Sequence, residues 1–219
     1  FYPPIYASFK NIKLDYFSAR RELLLEALVH KAAEYPNVKF VFNTALLHVN
    51  KVEKTILLQQ VNSGKIKTVK TDIVIGADGV HSTVRAFLQQ GQHTKHIQNQ
   101  VGWEYKQIFF PEDRIHALPL RFDRAYSSTR KQAIFVALPN KDRTFNGMLA
   151  LPKSQGFDLL KTDKEVTEFV TKTFPELVPA LPEILPAIRK NPNGNFITMK
   201  TYPWIYKDFM VLVGDAGHS

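Results

Sequence analysis

Two short apolar runs in this chain each end at a glycine–aspartate turn, and nothing else in the sequence constrains its folding as tightly. The first reads Asp72-Ile-Val-Ile-Gly-Ala-Asp78-Gly79-Val-His-Ser-Thr83-Val-Arg85. The second reads Phe209-Met-Val-Leu-Val-Gly214-Asp215-Ala216-Gly217-His218-Ser219. Runs of this length, rich in Val and Ile, have the character of buried strands. A buried strand ending this way leaves a carboxylate and bare backbone at a sheet edge, where a polar ligand can approach closely. Two such turns predict one large ligand held at two points.

Each turn also has a plainer reading. In the first, Gly79 permits a tight turn, and the N–H groups that follow can face phosphate oxygens at a helix start. Asp78 could accept from hydroxyl donors, and Arg85 could pair with Asp78 or with phosphate. The plain alternative is a strand–turn–helix with an aspartate cap. The attached Ser82-Thr83-Val84-Arg85 favours the ligand reading. In the second, Asp215 suits hydrogen bonds to sugar-type hydroxyls and Gly214 permits close approach; the alternative is a strand end capping the next helix. Arg21 opens a helical pattern with Leu24 and Leu28. If the leucines anchor that helix, the Arg projects from a fixed place; otherwise it is a surface Arg.

Composition narrows the function classes. With 219 residues, 44% of them hydrophobic, the chain can bury a real core. The absence of cysteine excludes disulfides, thiolate nucleophiles and iron–sulfur clusters, and suits a reducing, cytoplasmic setting. No stretch is apolar for long enough to span a membrane. The net charge is +9, but the basic residues are scattered rather than gathered with aromatics, so no nucleic-acid partner is expected. A solvated basic surface, or a field that draws in an anionic small molecule, fits better. His93 and His96 lie in a glutamine-rich stretch without carboxylates, which argues against a metal site. No nucleophile has an assignable base.

Along the chain, residues 1–17 read as loop and extended chain, and Arg20 to Glu34 as a helix. Val38 to Phe42 alternates like a short strand. Residues 46–50, 55–61 and 66–70 read as a meander turning at Asn62-Ser63-Gly64. Asp72 to Gly76 reads as a fully buried strand, and Ser82 as the cap of a helix reaching Leu88. After a polar linker over 89–100, the runs 101–110, 132–138 and 145–151 predict an antiparallel sheet. Helices follow at 163–173 and 177–189, the second interrupted by prolines, then strands near 195–201, 203–207 and 209–213. The expected fold is mixed α/β: part of a Rossmann-like layer at both ends, with an antiparallel β-sheet domain inserted.

The two aspartate motifs, in this order around a β-rich insertion, resemble the flavin-binding signatures of the class A flavoprotein aromatic hydroxylases. Further segments carry the resemblance through most of residues 17–219. They include Ala32-Ala33-Glu34-Tyr35-Pro36-Asn37-Val38-Lys39, Ala137-Leu138-Pro139-Asn140, Phe174-Pro175 to Pro179, and Lys207 to Asp215. The family's third fingerprint, Gly-x-Gly-x-x-Gly, is not in this sequence, and the chain begins at Phe1 rather than Met. It therefore reads as an internal part of a longer protein, with any membrane anchor after Ser219 left open.

The resemblance implies FAD and NADPH as cofactors and hydroxylation of a small aromatic substrate by oxygen activated at the flavin C4a. It implies that residues 1–88 and 201–219 belong to the FAD-binding domain, and 89–200 mainly to the substrate domain. By position it assigns Arg21, Leu46, Asp78, Gly79, Thr83, Arg85, Gly214 and Asp215 to cofactor binding, with Asp215 on the ribityl chain. Tyr6 takes the place of the tyrosine that binds the substrate carboxylate. No side chain is assigned as a general acid or base. Two departures stand out: Gln107 replaces a glutamate in the family's Tyr-x-Glu-Leu strand, and Gly217 replaces an alanine.

Overall fold

The computed structural model describes the backbone of Ile5–Ala7 and residues 18–130 and 132–219. In chain order the first elements are β1 (Ile5–Ala7), α1 (Arg21–Ala33), β2 (Thr44–Asn50), β3 (Thr55–Gln60), β4 (Ile66–Lys70), β5 (Val74–Gly76) and α2 (Thr83–Gln89). Next are β6 (Lys95–Phe110), α3 (Glu112–Ile115), β7 (Ala125–Arg130), β8 (Ala133–Pro139) and β9 (Phe145–Pro152). Then come α4 (Asp163–Thr173), α5 (Leu181–Lys190), β10 (Gly194–Tyr202), β11 (Ile205–Tyr206) and β12 (Met210–Leu212). The chain divides into two compact units: Phe1–Glu34 with Gly102–Phe196, and Tyr35–Val101 with Ile197–Ser219. Of the three changeovers, the last two fall inside strands, β6 and β10.

The first unit is built on a sheet of order β1-β7-β8-β9-β6-β10. Alternation sets its two faces. Along β8, Ala133, Phe135 and Ala137 are buried, while Ile134, Val136 and Leu138 are half-buried. The buried face packs on α4, α5 and the 3-10 turn Pro175–Ala180 between them. Phe110, Phe135, Phe145, Val166, Val170, Phe174, Leu177 and Ile184 form this core. Helix α4 starts where Thr162 and Glu165 cap each other's backbone in a capping box. Thr162→Ala should lower stability by about 1 kcal/mol, measurable as a shift in denaturant midpoint.

The second unit holds the meander β2-β3-β4 and a sheet of order β11-β12-β5. Strands β5 and β12 are parallel neighbours, with Val74 beside Met210 and Gly76 beside Leu212. Helix α2 lies against them so closely that a Cβ on Gly76 would stand 2.8 Å from Val84. Val49, Val74, Val84, Leu88, Phe209, Met210, Leu212 and Ala216 fill its core. The Lys51 ammonium donates to the carbonyls of Leu88 and Gln90 at the end of α2, a cation placed where the helix leaves acceptors unpaired.

The mixed α/β class and the antiparallel sheet agree with the sequence reading, and several local readings are corrected. Residues 38–42 form no strand: Val38, Phe40, Val41 and Phe42 are exposed, and the rings of Phe40 and Phe42 stack on each other. Their alternation lacks a sheet to join among the described residues. The run Asp72 to Gly76 is buried on one face only, since Ile73 and Ile75 are exposed. The leucines of α1 anchor the helix to nothing among the described residues: Leu24 and Leu28 are more than half exposed, and the helix has no buried residue. The stretch read as a linker contains the start of β6, and β7 was not read from the sequence.

Candidate functional site

The two aspartate turns leave neighbouring parallel strands at the same end. Asp78 follows β5 and Asp215 follows β12, whose residues pair directly. They therefore form one continuous rim at the carboxyl end of the strands, where open α/β sheets bind ligands. This sharpens the expectation of two separate holding points.

The residues of the first turn are largely engaged with one another. The Asp78 carboxylate accepts from the Ser82 hydroxyl and from the backbone N–H of Thr83 (2.7 Å) and Val84 (3.1 Å). Ser82 Oγ in turn accepts from Arg85 N at 2.9 Å. Asp78 thus serves as a cap at the start of α2, satisfying N–H groups that have no helical acceptor. Gly79 has φ +78°, and nothing lies within 4 Å of where its Cβ would be. Its backbone faces open space, so a ligand can approach it closely.

Arg85 does not bond to Asp78. It is buried, and its guanidinium donates to Val80 O (2.6 Å) and Ala216 O (3.0 Å). One carbonyl lies in each turn, so Arg85 is a strut holding the two turns together. Burial draws its pKa down and the nearby Asp78 carboxylate opposes this.

The second turn is the more open. Gly214 has φ +57° with free space beside it, and Asp215 is exposed in a 3-10 turn over Gly214–Ala216. Among the described residues no hydrogen bond occupies the Asp215 carboxylate, which leaves it available to hydroxyl donors. Thr83 is exposed at the first turn of α2, and Leu46 packs at the margin of this unit's core from β2, beside a bulge in its pairing with β3.

The first unit carries a separate feature, a cleft of about 660 Å³ on the sheet face opposite α4 and α5. Tyr105, Gln107 and Phe109 line it from β6, Val136 and Leu138 from β8, and Asn146 and Met148 from β9. Arg20 and Arg21 stand at the entrance to α1, and the Arg20 guanidinium sits 4.9 Å from the Phe109 ring centre. Asn146 fixes that entrance by donating to Ser18 Oγ and Ala19 O, both at 3.4 Å, and to Asn140 Oδ1 at 3.0 Å. Arg21 is therefore placed by its N-terminal neighbours and not by the leucines that follow it. Tyr6 lies in β1 opposite Tyr126, and its side chain is outside the described residues.

The sequence reading did not pick out Arg20, Asn146 or Asn191 as site residues. The available signal was the alternation along β6 and β9, which puts Tyr105, Gln107, Asn146 and Met148 on one face once the sheet is known.

These turns and this fold have relatives. An FAD binding domain family matches residues 18–219, and the chain belongs to it. Kynurenine 3-monooxygenase of Salinispora arenicola is 31% identical over 204 residues, covering 92% of this chain and 45% of that protein. The enzyme of the same name from Dictyostelium discoideum is 29% identical over 216 residues, covering 98% of this chain and 46% of that protein. The chain spans about half the length of the curated relatives it matches. Among solved structures, 2-methyl-3-hydroxypyridine-5-carboxylic acid oxygenase shares the fold with a TM-score of 0.69 at 21% identity, over 89% of this chain and 49% of that one.

Proposed function

We propose that this chain is part of an FAD-dependent monooxygenase that uses NADPH to hydroxylate the aromatic ring of kynurenine. The observation that carries the reading is the continuous rim of the Asp78 and Asp215 turns, joined by Arg85, in a chain of the FAD binding domain family. The residues fit the cofactor: an Asp215 carboxylate that no described residue engages and open backbone at Gly79 and Gly214 suit a ligand rich in hydroxyl and phosphate groups.

In this reading Asp215 accepts from hydroxyls of the ribityl chain, and the turn that Asp78 caps presents its backbone and Thr83. Arg21 supplies a cation from the entrance of α1, and Leu46 offers strand backbone. Bound FAD supplies the redox chemistry, with NADPH as electron donor. The chain's own task is then to bind, orient and exclude water. Val136, Leu138, Met148 and Phe109 suit a planar ring, and Tyr105, Gln107 and Asn146 supply polar groups that fix its orientation. Tyr6 is proposed as a contact of the substrate carboxylate.

The test uses the full-length protein. It should purify yellow, and kynurenine should stimulate its NADPH oxidation and yield a ring-hydroxylated product. A colourless protein overturns the reading; a yellow one without stimulation reduces it to flavin binding. Asp215→Asn should weaken FAD binding roughly 10- to 100-fold, the worth of one hydrogen bond to a charged group, as read by fluorescence titration of the apoprotein.

A second reading, hydroxylation of a different aromatic acid, is favoured by Gln107, an amide in the cleft where the family pattern has a carboxylate. A panel of aromatic acids separates the two. If kynurenine is the substrate, Gln107→Glu, which restores the family pattern's carboxylate, should raise kcat/KM for it by about tenfold, the lower end of the worth of a hydrogen bond to a charged group.

A further inference from the structure

We infer that Glu104 and Lys106, whose side chains lie behind β6, are positioning residues for the ligand held in the cleft on its front. Along β6 the side chains alternate. Tyr105, Gln107 and Phe109 line the cleft, while Glu104 and Lys106 point the other way and are each only 6% exposed. Two buried charges are costly unless their hydrogen bonds are satisfied. Both of these bond to the same short segment, Asn191-Pro192-Asn193-Gly194, which forms one rim of the cleft.

The segment is tied at four places. The Lys106 ammonium donates to Asn191 O. Asn191 Nδ2 donates to Gln107 O at 2.7 Å. Asn193 Nδ2 donates to one Glu104 oxygen at 3.0 Å. Gly194 presses on Tyr105 so closely that a Cβ there would stand 2.1 Å from the ring. The other Glu104 oxygen accepts from Phe157 N at 2.7 Å, which anchors the carboxylate to the turn after β9. Room for that carboxylate exists because residue 156 is glycine; a Cβ there would fall 2.1 Å from it.

An apolar pair at 104 and 106 could fill the same space without the desolvation cost. What charge adds is directed bonding to the rim, and bonds to charged groups are the stronger and more specific ones. The rim and the front-face residues Tyr105 and Gln107 are thereby held in one register. A ligand that touches both meets a fixed wall, so less order has to be imposed when it binds.

The kinetic arm of the test rests on the proposed hydroxylase reading; an exchange arm does not. In the full-length holoprotein, Lys106→Met should raise KM for kynurenine about tenfold while kcat stays within twofold and FAD stays bound, and Lys106→Arg should recover most of the loss. Glu104→Gln, a change behind β6 that leaves the cleft lining intact, should raise KM about threefold, because an amide oxygen can keep only one of the two bonds the carboxylate accepts from Asn193 and Phe157. Hydrogen exchange of the amides of residues 193–196 should accelerate at least tenfold in Lys106→Met. Unchanged exchange overturns the inference. So does faster exchange with unchanged KM in both variants, because the rim would then not meet the ligand. A joint loss of kcat and bound FAD would show a merely structural role and also overturns it. If the wild-type protein shows no kynurenine-stimulated oxidation, the hydroxylase reading fails and exchange alone decides.

Discussion

Replacing Arg85 by methionine is expected to lower the stability of its unit by about 3–5 kcal/mol, because two hydrogen bonds from a buried charged group are lost together. The methionine keeps the length and most of the apolar contact of the arginine stem. What it cannot keep is the pair of bonds to Val80 O and Ala216 O, so a buried carbonyl and a half-buried one are left without their donor. The consequence reaches further than stability. With the strut gone, only the pairing of β5 with β12, extended by Val213 N donating to Gly76 O at 2.9 Å, joins the Asp78 and Asp215 turns, and a ligand spanning both must order more of them itself. FAD affinity should therefore fall by more than for Asp215→Asn, beyond about 100-fold. Chemical denaturation of the apoprotein and fluorescence titration with FAD read the two effects separately. Arg85→Lys should rescue little, since one ammonium cannot reproduce a two-armed contact. An Arg85→Met protein with wild-type FAD affinity would show that the turns do not depend on the strut.

Phe135→Ala is expected to cost about 3–5 kcal/mol, from lost burial plus the cavity left behind. Phe135 is fully buried at the centre of the first unit, between α4, the 3-10 turn and the sheet. Its ring centre lies 6.1 Å from that of Phe110, 5.9 Å from Tyr126 and 6.2 Å from Phe174. These neighbours belong to β6, β7 and the end of α4, so the cavity cannot close without moving a whole element. The change should lower Tm by roughly 10 °C. Phe109→Ala serves as a control: the same residue type in the same sheet, but 42% exposed on the cleft face. It should cost distinctly less, about 1–2 kcal/mol, because part of the ring stays in water and no closed cavity is left behind. Equal losses in the two variants would contradict the assignment of the sheet's faces.

The legible parts of the sequence were those fixed by local chemistry. The meander was readable because Asn62-Ser63-Gly64 separates two short strand-like runs, and Gly64 takes the positive φ such a turn needs. Helix α4 was readable because its cap and its apolar spacing agree. Residues 38–42 were misread because alternation shows only that a segment could join a sheet, not that a neighbouring strand is there. The α1 leucines were misread in the same way: helical spacing describes a face but not its partner.

The candidate site divides similarly. Asp78, Gly79, Gly214 and Asp215 were visible as motifs because a strand ending in Gly and Asp has few local conformations. Which of the two carboxylates is engaged by the chain's own N–H groups was not visible. Asp78 caps α2 and Asp215 faces solvent, a difference set by the helix that follows one turn within five residues.

By itself the sequence determined the strand-to-turn motifs, the helix caps and the resemblance to a flavin-binding family, because each depends on residues close together in the chain. Only the tertiary structure decided that the two turns share one rim, that Arg85 bridges them across 131 residues, and that Glu104 and Lys106 hold Asn191 and Asn193 from behind the cleft. Those contacts join positions brought together by parallel pairing and by the packing of α5 on the sheet, and long-range pairing leaves no local mark in composition or spacing.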